Sequence, residues 1–453
     1  MKRLIAVMLA AVLVFGLSAC GDKTDNGGNK DTATGNEKGT VYFLNFKPEI
    51  ADVYKEIAQK YKEEKGVDVK VVTAASNTYE TTLKSEIAKA DAPTIFQING
   101  PVGYQAWKNY CADLSDTKLY SYLSDKDLAV KNEDGVFGIP YVVEGYGIIY
   151  NNAIMEKYFA LDSKAVDITN AKEIRNFATL KQVVEDMTKH KQELGIDGVF
   201  ASTSMGTGEQ WRWTTHLASV PVYYEMMDKD DGSTIVSALD AKTIDLTYSD
   251  NLKNLFDLYI NNSTTEKGLL SGKSVENSMA EFALGKAAMV QNGNWAWSQI
   301  SEVKGNAVKP DDVKYLPLYM GFEGEEKQGL CIGTENYLAI NKNASEANQK
   351  ASIEFLEWLF SSETGKKYVT GKLDFIAPFS TFEEDERPED PLAREILSWM
   401  EGDANTIEWT FNSFPSQQFK DDFGNSLLEY VQGSRDWAYV KKTFSDSWKS
   451  ERS

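Results

Sequence analysis

The chain has 453 residues, 42% of them hydrophobic and 26% charged, an ordinary globular composition in more length than one core usually organises, so two domains are expected. Its formal charge of −20 argues against nucleic acid, whose phosphates need basic patches, and against lying on anionic lipid. Three cysteines and two histidines, with no spacing that suits zinc, predict no metal and no cofactor.

Lys2 and Arg3 precede an unbroken apolar or small run from Leu4 to Ala19, the length of a signal h-region and too short for a stable span. The run closes in Leu17-Ser18-Ala19-Cys20, the form of a bacterial lipobox. Gly, Asn, Asp, Thr and Lys then dominate to about Gly39, with too few apolar side chains to offset the ordering entropy. This order predicts a signal peptide over 1–19, acylation of Cys20, and a flexible lipidated tether over 20–39. The protein is expected at the outer face of the cell membrane, held by lipid.

From Thr40 the pattern becomes strand–helix alternation. Thr40–Asn45 reads as a strand and Glu49–Lys65 as a helix with Ile50, Val53, Tyr54, Ile57 and Tyr61 on one face. Val67–Val72 alternates as a strand, Thr78–Ala90 is a helix, and Pro93–Ile98 is a third strand. Such alternation predicts a parallel sheet in an α/β fold, with ligands beyond the carboxyl ends of the strands. That directs attention to Asn45-Phe46-Lys47, Ser76-Asn77-Thr78 and Asn99-Gly100. Val136–Asn151 is expected as one long extended segment, followed by helices at Asn152–Tyr158 and Asn176–Leu194 and a strand at Gly198–Ser202. A helix over Val275–Leu284, a strand over Ala287–Gln291, extended pieces at Val313–Tyr319 and Tyr337–Asn341, and a helix over Ser345–Phe360 come next. Pro391 to Trp448 reads as helices with aromatic-rich joins. Cys111 and Cys331 are expected as two buried thiols, with a bridge between them as the alternative.

Gln291–Ile300 (QNGNWAWSQI) is the most specific internal motif. A Trp at a strand end, beside Asn and Gly, offers a platform to the C–H face of a sugar ring while neighbouring polar groups take its hydroxyls. Trp295 is assigned that role with Asn294 beside it, and Trp297 is assigned to packing. Two other patterns fail. Gly268–Ser274 (GLLSGKS) has the wrong spacing for a phosphate loop and reads as a turn before a helix, and Asp228–Gly232 has its Gly one place early for a calcium loop.

The segments Met279–Ile300 and Gly138–Asn151 resemble those of family-1 extracellular solute-binding proteins of carbohydrate ABC transporters, and the order of elements agrees from Thr40 to about Tyr430. The resemblance implies an α/β, two-lobed periplasmic-binding-protein-like fold of type II, with a ligand cleft between lobes and hinge crossovers. It implies an N-terminal lobe of 40–143 and 318–376 and a C-terminal lobe of 144–317 and 377–453. It puts Glu144 and Tyr141 of the first crossover at the ligand, with Glu209 and Trp211 from the Gly206–Trp213 segment. Trp213 there stays open between ligand and core. Glu335, Trp409, Phe46, Lys47 and Asn99 complete the expected set. Asp374 departs from the Gly that the family often has before Phe-Ile.

The function expected is capture of a neutral oligosaccharide by Trp stacking and hydroxyl hydrogen bonds, and its delivery to permease subunits, by a monomer that is not an enzyme. An extracellular glycoside hydrolase would also need aromatic platforms and two carboxylates. A receptor for a polyamine or peptide is the third possibility.

Overall fold

The structure is a computed structural model that describes residues 39–75, 78–227 and 238–452. The signal segment 1–19, Cys20, its tether to residue 38, Ser76-Asn77 and the turn Asp228–Gly232 lie outside the described residues. Two sheets organise the rest. Their strands are β1 Val41–Asn45, β2 Val69–Thr73, β3 Ile95–Asn99, β4 Val130–Asn132, β5 Gly135–Pro140, β6 Glu144–Asn151, β7 Gly198–Phe200, β8 Ala287–Gly293, β9 Val313–Leu316, β10 Gln328–Gly333, β11 Asn336–Ile340 and β12 Asn405–Ile407.

The first sheet has the order β2-β1-β3-β11-β5-β4. β1 is parallel to both β2 and β3, as helical connections require. β11 runs antiparallel to β3 and β5, so the sheet is mixed rather than all-parallel. The reason is topological: β5 leaves this sheet for the second one and β11 arrives from it, so neither is returned by a helix. The helices Ala51–Lys65 and Glu346–Ser361 cover one face, where Phe43, Tyr54, Ile57, Tyr61, Phe355 and Leu359 form a core.

The extended segment expected over Val136–Asn151 is two strands in two sheets. Pro140, which lacks an N–H donor, is the last residue of β5. Tyr141–Val143 crosses over, and β6 opens at Glu144 in the second sheet. Val143 is pinned there by a 2.8 Å hydrogen bond from its N–H to the Ile376 carbonyl. The second sheet has the order β12-β10-β6-β8-β7, with β9 also on β6. All of β6 is buried. Gly147 is needed in it, because a Cβ there would stand 2.6 Å from the Leu316 carbonyl oxygen.

β10, within 318–376, pairs with β6 and β12 of the second sheet. The chain regains the first sheet only at β11, after the Thr334-Glu335 step. Cys331 sits on β10 and Cys111 beside the first sheet, packed in separate cores, and both are free buried thiols. Burial pushes the Cys111 thiol up to about 12.

The Gly-Lys-Ser stretch is a turn, as expected. A 3-10 helix over Lys267–Gly272 leads to Ser274, which caps the helix Val275–Ala283 in a reciprocal capping box with Asn277. No group of His, Cys, Asp and Glu among the described residues could hold a metal ion.

Candidate functional site

The carboxyl ends of β1 and β3 meet the start of β6 and the turn after β8 where the chain passes between the sheets. Asn45 shapes the first contribution. Its side chain donates to the Lys47 carbonyl (2.7 Å) and accepts from the Lys47 N–H (3.1 Å), which turns Lys47 inward. Lys47 Nζ then reaches Glu144 Oε1 at 2.7 Å and stands 3.8 Å from Glu49. Burial alone would lower Lys47, but Glu144 and Glu49 outweigh it and hold the ammonium above its usual range. Burial raises the Glu49 carboxyl, with Lys47 opposing.

Trp295 follows β8 and is partly exposed. Gly293 makes room for its indole, since a Cβ there would lie 2.2 Å from the ring. Lys47 Nζ is 5.9 Å from the ring centroid. Trp211 lies 6.4 Å from Trp295 with planes inclined by 50°, and Trp409 lies 6.4 Å from it at 88°. Trp211 precedes a π-helical run, Arg212–Leu217, whose wider turn brings His216 into the same cluster. His216 stacks on Tyr146 at 4.0 Å and meets Trp211 and Trp295 edge-on at 5.0 and 5.4 Å. Burial, and then the nearby Arg212 charge, hold its imidazole well below the usual range.

Glu335 stands at the return crossing. Asn99 Nδ2 donates to its Oε1 at 3.2 Å, and burial raises its carboxyl against the pull of Lys420 and Lys47. Around it several buried polar atoms have no hydrogen-bond partner: Asn99 Oδ1, Thr334 Oγ1, Asn336 Nδ2, Trp409 Nε1 and Asn412 Oδ1. These belong to neighbouring residues. Asn99 and Asn336 are register partners, and Asn412 Nδ2 donates to the Thr334 carbonyl at 2.8 Å. Buried polar atoms are nearly always partnered, so their concentration here marks a surface suited to a polar ligand.

The structure therefore groups Lys47, Glu144, Asn99, Glu335, Trp211, Trp295 and Trp409 around the crossings. Phe46 is next to them, edge-on to Tyr79 at 5.3 Å. Asn294 is tied up structurally, its Oδ1 accepting from the Gly145 N–H at 2.9 Å. Glu209 accepts from the Val275 N–H at 2.6 Å and so serves the start of a helix beside Trp211. Two residues stand elsewhere. Tyr141 is fully buried in the first core, with its hydroxyl accepting from Gln97. Trp213 is a core residue, donating to the Ser204 carbonyl at 3.0 Å and packed on Phe256 and Tyr259. A residue at every second place along a strand or near the start of a helix can face either way, and sequence spacing alone did not choose. His216, Tyr146 and Asn412 were missed. The π-bulge that aims His216 has no periodic signature, and Asn412, three residues after Trp409, has no pattern of its own. Two surface hollows, about 220 Å³ beside Lys55, Lys62 and Val69 and about 680 Å³ around Thr40, Lys70 and Asn343, are lined by residues outside this cluster.

Residues 56–395 match the family of bacterial extracellular solute-binding proteins. A multiple sugar-binding protein of Streptococcus mutans is 21% identical over 372 residues, spanning 81% of each chain. Among solved structures, a chitin oligosaccharide binding protein superposes with a TM-score of 0.68 at 17% identity, covering 91% of this chain and 98% of its own. The solute-binding protein RafE in complex with raffinose gives 0.68 at 18%, covering 91% and 100%. A sugar transporter structure from Bacillus licheniformis in complex with stachyose gives 0.65 at 19%, covering 91% and 99%. At such identities the likeness establishes the fold, two lobes with a cleft between them. With its family match spanning most of its length and its two sheets joined by short crossings, the chain belongs to the bacterial extracellular solute-binding proteins.

Proposed function

We propose that the protein captures a neutral oligosaccharide in the cleft between its sheets and hands it to the permease of an ABC transporter. The observation that carries this reading is the pairing of two partly exposed indoles, Trp211 and Trp295, with a ring of buried polar atoms on Asn99, Thr334, Asn336 and Asn412. Ring faces stack on the indoles while hydroxyls, each both donor and acceptor, complete the amide and hydroxyl groups. The names of the similar proteins, which include binders of raffinose, stachyose and chitin oligosaccharide, support a sugar and leave its linkage open.

On this reading the lobes are 40–143 and 318–376 on one side and 144–317 and 377–453 on the other, with β10 reassigned to the second, and they close as rigid bodies about the crossings. The lipobox at Cys20 supports a lipid anchor on the outer face of the membrane, which keeps the loaded receptor near its permease and raises its effective concentration. Both carboxylates at the crossings already have partners, Glu144 the Lys47 ammonium and Glu335 the Asn99 amide, which suits fixed hydrogen-bonding groups of a binding site. Calorimetric titration with a panel of neutral oligosaccharides, followed by recovery of the sugar, tests the reading. Micromolar or tighter binding with intact sugar is expected. Recovered fragments would move the protein to the hydrolases, and silence across the panel would favour polyamines or peptides.

A further inference from the structure

Asp374 is one of two non-glycine residues, among those described, that stand in the left-handed region, with φ 54°. That conformation costs an L side chain free energy, and it persists only where the surroundings impose it. Here both neighbours are pinned. The Leu373 N–H donates to the Tyr368 carbonyl and the Phe375 N–H to the Val369 carbonyl, each at 2.9 Å, and both side chains are buried in the core of the first sheet. The Asp374 carboxylate, between them, accepts a hydrogen bond from the Asp390 N–H. Asp390 belongs to the other body. It caps the helix Pro391–Met400, whose Leu392, Ala393 and Ile396 pack with Val290 of β8 and with Ala296 and Ile300 after it. A glycine at 374 would take this φ without strain and could not make the bond.

The same helix backs one corner of the ligand cluster. Ile396 lies against Gly145, where a Cβ would stand 2.4 Å from its Cδ1, and the Gly145 N–H donates to Asn294 Oδ1 at 2.9 Å. Glu144 comes directly before Gly145, and Trp295 directly after Asn294. The bond from Asp390 to Asp374 therefore joins the core of the sheet that carries Lys47 and Asn99 to the helix behind Glu144 and Trp295, without including any of the four. The two bodies also meet after β3, where a Cβ on Gly100 would stand 3.5 Å from Asn412 Cβ. A hydrogen bond between two bodies that close on a ligand is kept when they meet and lost when they part, so it adds to affinity without contacting the ligand. We infer that Asp374 is a positioning residue for ligand capture, and that its hydrogen bond to Asp390 holds the corner of Glu144 and Trp295 in place against the first sheet. The inference rests on the sugar-binding reading and adds to it a residue outside the ligand cluster.

The test compares D374G, D374A and D374N with the parent chain by calorimetric titration against maltotriose, raffinose and chitotriose, with melting temperatures measured without sugar. D374G removes both the strain and the acceptor, D374A removes only the acceptor, and D374N keeps an acceptor on a residue that tolerates left-handed backbone. For the sugar that the parent binds most tightly, D374G and D374A are each expected to bind about tenfold more weakly, the effect of one charge-assisted hydrogen bond, and D374N to stay within about threefold. The two losses should match even though D374A melts below D374G. Affinities that follow the melting temperatures instead, kept in D374G and lost in D374A, would make the role structural and overturn the inference. Unchanged affinity in both, or a loss in D374N as large as in D374G, overturns it as well and leaves the sugar reading standing. No binding of any of the three sugars by the parent overturns both.

Discussion

Lys47 and Glu144 meet at 2.7 Å across the passage between the two sheets, one following β1 and the other opening β6. Their side chains are 7% and 5% exposed, so this is a buried ion pair at the seam of the molecule. A buried pair adds little net stability over an apolar one, but breaking it strands a charge. Lys47→Met or Glu144→Leu alone is expected to destabilise the protein by about 3–5 kcal/mol. The double variant is expected to recover most of that. Urea unfolding of the four proteins checks it, and additive losses would show that the two charges do not depend on each other.

Trp295→Ala should weaken sugar binding by about 2–4 kcal/mol while the fold survives, because the ring is an anchor at the cleft rather than a core side chain. Trp297, partly exposed and packed against the apolar cluster around Phe282 and Ile300, serves as the contrast. Trp297→Ala should lower the melting temperature and leave affinity nearly unchanged. Calorimetric titration and thermal melts on both variants separate the two roles.

Asp390 caps the helix Pro391–Met400, accepting from the Ala393 N–H at 2.8 Å. Burial, with the like charge of Asp374 adding to it, raises its carboxyl to about 7. A carboxyl raised in the folded state holds a proton there that the unfolded chain has already lost. Its contribution to stability is therefore full at low pH and lost as pH climbs from about 4 to about 7. Asp390→Asn should match the parent protein near the acid end and exceed it above neutrality, by on the order of 2 kcal/mol. Melting temperatures of the two proteins across that range read the difference, and a constant gap would refute it.

His216 runs the other way. Its folded value lies well below 6.5, so neutral burial stabilises the protein above 6.5 and the benefit fades as pH falls toward the folded value. His216→Gln should be less stable than the parent at pH 8, through lost stacking on Tyr146, and the gap should narrow below about 6.5. Pairwise melts at several pH values check this. A gap that widens in acid would mean the imidazole is charged in the fold.

The first three strands and the helices between them were legible because each buries a clear face: Phe43, Tyr54, Ile57 and Tyr61 recur at the periods of strand and helix. The motif around Trp295 was legible because Gly and Asn at a strand end are poor choices for a core. What could not be read was pairing. β12 has only three residues, and β10 lacks alternation because both its faces are covered. Whether Tyr141 faced the cleft or the core turned on a three-residue crossing whose twist no local pattern encodes. Trp213 is one π-bulge away from Trp211 in aim, and a bulge of that kind leaves no repeat in the sequence.

The place of β11 in the first sheet sets a timetable for folding. It lies between β3 and β5, yet it is separated from them in the chain by the whole run from β6 to β10. A chain made from its N-terminus can assemble β1, β2 and β3 early, but their sheet lacks its middle strand until residue 340 is available. Until then the edges of β3 and β5 stand open for pairing with another chain, and the second sheet has the chance to form first.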